Sequence, residues 1–573
     1  MKVSDFIASF LESKQIEYIF GYMGGMITHL ADSIDKNPYT KFIQVYHEQS
    51  AAFAAEGYAR ETNRVGVAIS TSGPGATNMV TGIANAYFDS IPVIYMTGQV
   101  NTQDYKYELP IRQQGFQETD IVSIVSPITK YAVLVDEAKN IKYELEKAYY
   151  LATTHKKGPV LLDIPLNIQR EEIEIDELIG FEPTAQVMSD SSFDLESIVS
   201  MIHQAKRPLI LAGAGVMEPD TKEVFRAFIH QTKLPVVYSL MAKGCLDDDL
   251  PETVGMIGSY GNRCANLLVP ESDLLIVLGS RLDNRQTGNL LSHFHPNGPV
   301  IHVNIDQHDL DYHRLNNRVK VHQSVEEFLT TLHPLLTDFS ILNEWQEKVT
   351  YYQQAFSQEQ EIKHYVENKL PYQWIDILNQ YANQKSSFTV DIGQNQMWSA
   401  QYLKMHDDQN FYTSGGLAPM GYAMPAAVGV AFANLTRQVY VICGDGGFQM
   451  SLQSLMLISQ YDLPILVIVF NNRSLGMITQ FQSLYFNGRY TGTTEAGGYQ
   501  VPDIESLAKA YSLPYFKALP SQLHDAEYLA SVFKTRNGIV ELVIEGETTV
   551  CPKLEYNRPI NEPSPYVKKG EIE

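Results

Sequence analysis

No apolar run in the 573 residues is long enough to cross a bilayer as a helix, so a membrane span is not expected. Cysteine is scarce as well. The four present, Cys245, Cys264, Cys443 and Cys551, are scattered without metal-ligand spacing, which excludes a disulfide scaffold and fits free thiols in a reducing cytoplasm. Basic residues fall short of acidic ones: 43 Lys and Arg against 66 Asp and Glu leave a formal charge of −23. That balance speaks against nucleic acid or an anionic membrane as partner. The opening stretch MKVSDFIASFLESKQIEYIFGYMGG has no uninterrupted apolar core for a signal peptide, because Asp5 and Glu12 break it. It reads as an amphipathic helix followed by a strand, and a cytoplasmic protein is the expectation.

What is present is a regular alternation. Strand-like apolar runs such as YIFGYMGG, VGVAISTSGPG, IPVIYMTGQV and GPVLLDIP alternate with helical stretches, the pattern of parallel sheets covered by helices. A chain of this length predicts three or four domains. Around 170–195 the alternation lapses into an acidic, polar linker, and a second block runs from RPLILAGAGV to VIHVNIDQHDL. Polar helical text fills 336–370 before a third block. The predicted fold is α/β: three Rossmann-like, doubly wound parallel-sheet domains over 1–172, 190–335 and 365–550, with a Pro-rich tail over 551–573. The three blocks look like one architecture used three times.

The most informative stretch is VICGDGGFQM, 441–450, where an apolar strand runs into Gly444, Asp445, Gly446 and Gly447. Gly-Asp-Gly by itself makes a good tight turn. The next 24 residues read as a helix and a buried strand, and then come Asn471 and Asn472. Asp445 thus ends one parallel strand and Asn472 the next, both at the carboxyl edge where open α/β sheets bind ligands. Asp and Asn oxygens suit a hard divalent ion that also holds phosphate oxygens. The glycines let a diphosphate approach the backbone and the following helix N-terminus. A second acid, Glu48 in YHEQSAAFAAEGYAR, opens an Ala-rich helix, where a carboxylate is also well sited on electrostatic grounds alone. Gly24, Gly25 and TSGPGATN (71–78) supply two more Gly-rich strand ends in the same block.

The Gly-Asp-Gly to Asn-Asn spacing resembles the metal–diphosphate motif of thiamine-diphosphate enzymes. The resemblance implies that Asp445, the Asn472 side chain and the Ser474 backbone carbonyl hold Mg²⁺. It implies that Glu48 bonds the cofactor's aminopyrimidine ring and favours its imino tautomer, which takes the C2 proton. Met420, in TSGGLAPMGYAMPAA, matches the apolar wedge between the two cofactor rings, although a methionine in such a run usually just fills core. By the same pattern Gly24, Gly25, Gln394, Asn395, Gln396, Gly416, Gly444, Gly446, Gly447, Leu475, Gly476 and Met477 line the cofactor.

Over almost the whole chain, EQSAAFAAEGYAR, STSGPGATN, GFQETDIV, PITKYA, GSRLDNRQTGN, DIGQNQMW, GDGGFQM and NNRSLGMITQFQSLY look like the catalytic subunit of acetohydroxyacid (acetolactate) synthase, in order. That family decarboxylates pyruvate and joins the remaining two carbons to a second carbonyl. Its active site lies between the first domain of one chain and the third of another, which implies a homodimer or homotetramer. Gln117 and Lys130 match positions near the substrate entrance, with solvated polar surface as the rival reading. Family members of this type hold an FAD that does no net redox work. Gly213, Ala214, Gly215, Leu240, Met241, Gly279, Arg281, Asp283, Arg285 and Asp306 match the segments that line it. Ser126 stands where a basic residue is usual, and FAD-free catabolic synthases look similar around SPITKYAVLV, but their central domains lack a segment of the RLDNRQTG type, so FAD is the expectation.

Several positions depart from the family. Asn284 replaces an Asp, Asn395 a His, Phe481 a Trp, and Ala418-Pro419 a Gly-Thr pair, while Met26 stands where a small residue is usual. Phe481, Asn284, Arg285 and Met26 together mark the acceptor pocket, so the machinery reads as kept and the acceptor side as altered. Four functions remain open: a carboligase joining two pyruvates; pyruvate-dependent transfer to a keto-sugar nucleotide or another non-acid ketone; a pyruvate oxidase or decarboxylase; and a catalytically dead flavin-binding or regulatory protein. Retention of Glu48, Asp445 and Asn472 together argues against the last.

Overall fold

The computed structural model describes residues 1–183 and 193–567, so part of the expected linker and residues 568–573 of the tail lie outside the described residues. Among the described residues, eighteen strands form three six-stranded sheets in which every pairing is parallel. The first holds β1 (Tyr18–Tyr22), β2 (Lys41–Gln44), β3 (Gly66–Ser70), β4 (Val93–Gln99), β5 (Tyr131–Leu134) and β6 (Val160–Pro165). The central sheet holds β7 (Pro208–Ala212), β8 (Val236–Tyr238), β9 (Thr253–Met256), β10 (Leu274–Leu278), β11 (Val300–Asn304) and β12 (Arg318–His322). The third holds β13 (Ser386–Val390), β14 (Asn410–Tyr412), β15 (Gln438–Gly444), β16 (Ile465–Asn471), β17 (Tyr515–Ala518) and β18 (Gly538–Val543). Every residue of β3, β4, β10 and β16 is buried, which is why these strands read as unbroken apolar runs: helices cover both sheet faces. No helix among the described residues is long and apolar enough to cross a membrane.

The strand orders are β2-β1-β3-β4-β6-β5, β12-β11-β10-β7-β8-β9 and β14-β13-β15-β16-β18-β17. The first and third sheets therefore share one topology, while the central sheet has the dinucleotide-binding order. One architecture used three times holds for the doubly wound sheet and fails for the strand order. Each sheet reverses winding at one place, and ligands bind at the carboxyl ends there. The switch points fall between β1 and β3, β7 and β10, and β13 and β15.

The first and third domains meet across two helices of small residues, Glu48–Thr62 and Ala423–Ala433. Eleven of the fifteen residues of Glu48–Thr62 are buried, so its Ala-rich sequence serves a helix covered nearly all round. A Cβ at Gly429 would lie 1.8 Å from the Ala54 carbonyl oxygen, and one at Gly57 2.1 Å from that of Ala426. Only glycine permits this approach.

Asp163, on β6, is fully buried and accepts hydrogen bonds from Thr97 Oγ1 at 2.7 Å and Gln99 Nε2 at 2.8 Å. Burial pushes its carboxyl up to about 7, against the pull of those two donors. The folded chain thus holds this proton more tightly than the unfolded chain does, and stability from this group is lost as pH rises from the ordinary carboxylate range through about 7. Asp163→Asn is expected to gain stability on wild type by a few kcal/mol between about pH 5 and about pH 8. Denaturant midpoints at the two pH values measure it, and a pH-independent difference would refute the assignment.

Candidate active site

Asp445 directly follows β15 and opens the helix Asp445–Met450 at the switch point of the third sheet. Its side chain is buried, with Oδ1 accepting from the Tyr499 hydroxyl at 2.6 Å and Oδ2 from the Arg473 N–H at 2.8 Å. Burial pushes the carboxyl up to about 6, opposed by Tyr499 and the backbone donors. Arg473 lies between Asn472 and Ser474, so the three expected metal ligands meet at adjacent strand ends. The Asn472 amide oxygen accepts from the Ser474 N–H at 3.2 Å, and its Nδ2 donates to Thr548 Oγ1 at 3.0 Å. An acid and an amide oxygen side by side are hard oxygen donors of the type that binds Mg²⁺.

The flanking glycines are bare because side chains crowd them. A Cβ at Gly446 would lie 2.7 Å from Leu475 Cδ2, 3.0 Å from Met420 Cε and 3.1 Å from the Tyr499 hydroxyl. At Gly447 it would meet Asp391 Oδ1 at 2.5 Å, and at Gly444 Asn395 Oδ1 at 3.3 Å. At Gly476 it would meet Gln394 Oε1 at 2.0 Å. Met420, Leu475, Gly476, Gln394 and Asn395 therefore surround the Gly-Asp-Gly turn, and Met477 packs on the core beneath. Close packing of the chain's own side chains fixes glycine at these positions, and the oxygens of Asp445 and Asn472 carry the fit to a metal-bound diphosphate.

The Met420 segment is gripped from both sides, by Gln396 and by three residues that the sequence reading missed, Asp391, Asp89 and Asn85. Asp391, at the end of β13, accepts from the N–H groups of Gly421 at 3.0 Å and Ala423 at 2.9 Å. From the first domain, Asp89 accepts from Gly415 N–H at 3.2 Å and Gly416 N–H at 2.8 Å, and Asn85 Oδ1 accepts from Ser414 Oγ at 2.6 Å. Gln396 Nε2 donates to Thr413 Oγ1 at 2.7 Å and to the Ser414 carbonyl at 2.9 Å. Asp391 was open to discovery, since it is a strand-end acid followed by Gly393, as Asp445 is followed by Gly446. Asp89, Asn85 and Tyr499 carried no such local signal.

A second cluster forms at the switch point of the first sheet. Glu48 opens its helix behind the His47 cap, and its Oε2 accepts from Asn78 Nδ2 at 2.9 Å. Its Oε1 would lie 3.2 Å from a Cβ at Gly75. Gly24 rests on Thr71, whose hydroxyl accepts from the Met26 N–H at 3.2 Å, and nothing lies within 4 Å of a Cβ at Gly25. The Gln117 carbonyl oxygen would lie 2.8 Å from a Cβ at Gly73. Lys130 is not among them. It precedes β5, at the amino edge of the sheet, and donates to the Thr154 carbonyl at 2.9 Å, where burial lowers its amine to about 8. Among the described residues no hydrogen bond joins Glu48 to the third domain.

At the central switch point Gly213, Ala214 and Gly215 pass directly over Gly279. The Gly213 N–H donates to the Leu278 carbonyl at 2.8 Å and the Gly215 N–H to that of Gly279 at 3.0 Å. Arg281 lies close enough to Asp89 to oppose the upward push that burial gives its carboxyl. Leu240 and Met241 start the turn after β8, and Met241 Sδ would lie 2.6 Å from a Cβ at Gly415 of the third domain. Asp306 pairs with Lys156 at 2.8 Å and accepts from the His308 N–H at 2.9 Å. Asp283 caps Arg285 and Gln286 by their N–H groups. Asn284 is exposed, and Phe481 is 47% exposed with its ring 4.7 Å from that of Tyr485.

This pair of strand-end clusters, on two sheets of like topology flanking a dinucleotide-type sheet, defines a thiamine-diphosphate enzyme by class. The chain matches the thiamine pyrophosphate enzyme N-terminal TPP binding domain over residues 1–124, the central domain over 195–332 and the C-terminal TPP binding domain over 391–537. It is 35% identical over 531 residues to a probable acetolactate synthase large subunit of Methanocaldococcus jannaschii, covering 90% of this chain and 87% of that one. It is 34% identical over 557 residues to the acetolactate synthase large subunit of Lactococcus lactis, covering 96% and 94%. With that of Pyropia yezoensis it shares 35% over 512 residues, 87% and 85%. The chain belongs to the acetolactate synthase large-subunit family of thiamine pyrophosphate (thiamine diphosphate) enzymes.

Proposed function

We propose that the chain is a thiamine-diphosphate-dependent carboligase that takes pyruvate, releases CO₂ and transfers the remaining two carbons to a carbonyl acceptor, giving acetolactate or a related acyloin. The observation that carries this is Asp445 beside Asn472, with Gly446 left bare beneath Met420, Leu475 and Tyr499, in a chain of this family. Mg²⁺ would be held by the Asp445 carboxylate, the Asn472 amide oxygen and the Ser474 carbonyl, and would offset diphosphate charge. Thiamine diphosphate, when bound, supplies the electron sink that lets pyruvate lose CO₂. Glu48 holds a proton at the aminopyrimidine ring nitrogen, with its other oxygen tied by Asn78. Met420 gives the reacting centre an apolar floor, and Asp391, Asp89 and Gln396 fix the segment that carries it.

The proposed assembly is a homodimer or homotetramer in which Glu48 of one copy faces Asp445 of another. Glu48 bonds only within its own domain among the described residues. Tyr22, Met23, Phe88, Leu417 and Met450 are exposed around the two clusters, as surfaces awaiting a second copy would be. FAD is proposed at the central switch point, along Gly213–Gly215, Leu240, Met241, Gly279 and Arg281, without a redox role. The exposed Phe481 favours a second reading, in which the acceptor differs from a plain 2-keto acid.

Incubating the protein with thiamine diphosphate, Mg²⁺ and pyruvate is expected to yield CO₂ and acetolactate. Acceptor mixtures should show little preference for 2-ketobutyrate, because even a well-fitted apolar wall discriminates one methylene by only about 1–3 kcal/mol. A strong preference would defeat the altered-acceptor reading, and no CO₂ would defeat the carboligase. The active preparation should be yellow and release flavin into acid; a colourless active one would remove FAD.

A further inference from the structure

Two cations beside the acceptor pocket form no ion pair among the described residues. Lys553, in the tail, is half-buried, and its ammonium lies 5.9 Å from the ring centres of Tyr260 and Phe481 and 6.0 Å from that of Tyr485. Among the described residues no carboxylate forms an ion pair with it. Glu555, whose charge it feels, accepts instead from the Tyr566 hydroxyl at 2.7 Å. Arg285 is in the same condition. Among the described residues its guanidinium hydrogen-bonds only the sulfur of Met397, at 3.7 Å, a weak acceptor; it feels the charge of Asp283, whose oxygens accept from backbone and Gln286 donors and form no ion pair with it. Burial lowers both basic groups, as expected for charges withdrawn from water without a partner.

The two belong to one frame. The Leu554 N–H donates to the Ser259 carbonyl at 2.7 Å, and the Ser259 N–H donates to the Arg285 carbonyl at 2.8 Å. Gln401 Nε2 holds the carbonyls of Tyr260 at 3.0 Å and Pro552 at 3.1 Å. Lys553 itself is pinned through both its N–H and its carbonyl to Ser564, at 3.0 and 2.8 Å. Tyr260 feels the Arg285 charge, and its ring lies 5.9 Å from the Lys553 ammonium, so both cations lie near this one side chain. The helix Gly476–Tyr485 starts just past the metal-site loop, and Phe481 lies about 7.5 Å of helix rise beyond Gly476. A small molecule spans that distance.

A plain 2-keto acid acceptor brings one carboxylate and needs one cation. Two unpaired cations in one frame match a dianion, and a phosphate monoester carries about −1.5 to −2 at pH 7. Lysine meets phosphate as a point charge and arginine as a fork. We propose that Lys553 and Arg285 form a phosphate subsite, so that the acceptor is a phosphorylated aldehyde or ketone with its carbon chain along Phe481. This rests on the carboligase reading above. The carboxylate of pyruvate leaves as CO₂, the new carbon–carbon bond forms at the acceptor carbonyl carbon, and the carbonyl oxygen takes a proton from the medium. The phosphate ester stays intact.

The test uses the holoenzyme with pyruvate as donor and compares glycolaldehyde phosphate with glycolaldehyde by kcat/KM. Wild type should favour the phosphorylated acceptor by about tenfold or more, Lys553→Met should lower that ratio by about tenfold, and Lys553→Arg should keep most of it. The ratio is internal to each preparation, so partial misfolding or cofactor loss cancels. A ratio near one in wild type, or one unmoved in Lys553→Met, overturns the subsite. Acyloin formation with unphosphorylated glycolaldehyde or with a second pyruvate reports the carboligase reading separately. Inhibition by a nucleoside diphosphate far below the inorganic phosphate concentration needed would mean a nucleotide-linked acceptor; equal inhibition would mean a simple phosphate ester.

Discussion

Glu48→Gln is expected to slow exchange of the C2 proton of bound thiamine diphosphate by about 10²–10⁴-fold, the usual contribution of a positioned acid–base group. The substitution keeps size and shape. Its amide oxygen can still accept from Asn78 Nδ2, which holds Glu48 Oε2 at 2.9 Å, so the side chain should stay at the head of its buried helix. What it loses is the ability to hold and return a proton at the ring nitrogen. Cofactor binding should survive, because the proposed metal and diphosphate contacts belong to the third domain. Hydrogen–deuterium exchange at C2, followed by NMR on the loaded protein, measures the effect. Near-wild-type exchange with cofactor bound would remove Glu48 from the mechanism.

Asp445→Ala should cost the largest share of cofactor affinity. It deletes the one charged ligand of the proposed Mg²⁺ site and leaves the Tyr499 hydroxyl without its acceptor, while the Arg473 N–H keeps only its longer bond to Asn471 Oδ1 at 3.2 Å. Buried donors left unpaired cost about 1–3 kcal/mol each, so the metal-site loop should loosen as well. Removing a residue that only orients a metal's ligand already costs roughly 10–100-fold in affinity, and a charged ligand should exceed that. Asp445→Asn separates the two effects, since it can keep an acceptor for Arg473 while losing the charge. Calorimetric titration with Mg²⁺ and thiamine diphosphate gives the comparison. Equal affinity in wild type and Asp445→Ala would sink the metal assignment.

The alternation of apolar runs determined by itself that the chain builds parallel sheets covered by helices, because strands buried on both faces need unbroken apolar sequence. The interval from Asp445 to Asn472, one helix and one strand long, likewise sufficed to put both at neighbouring strand ends. Such signals are local, written within a turn or a strand of the residues concerned. Strand order is not local, and only the tertiary structure separated the central sheet from the other two. Nor could any spacing announce that Asp89 would hold Gly415 and Gly416, that Lys156 would claim Asp306, or that Lys130 would serve a helix end at Thr154. It was equally silent on the tail returning Lys553 to Tyr260 and Phe481. Those contacts join segments far apart along the chain, often in different domains. They depend on which surfaces fit when the sheets pack, a property of shape and close approach that residue order along one element does not carry.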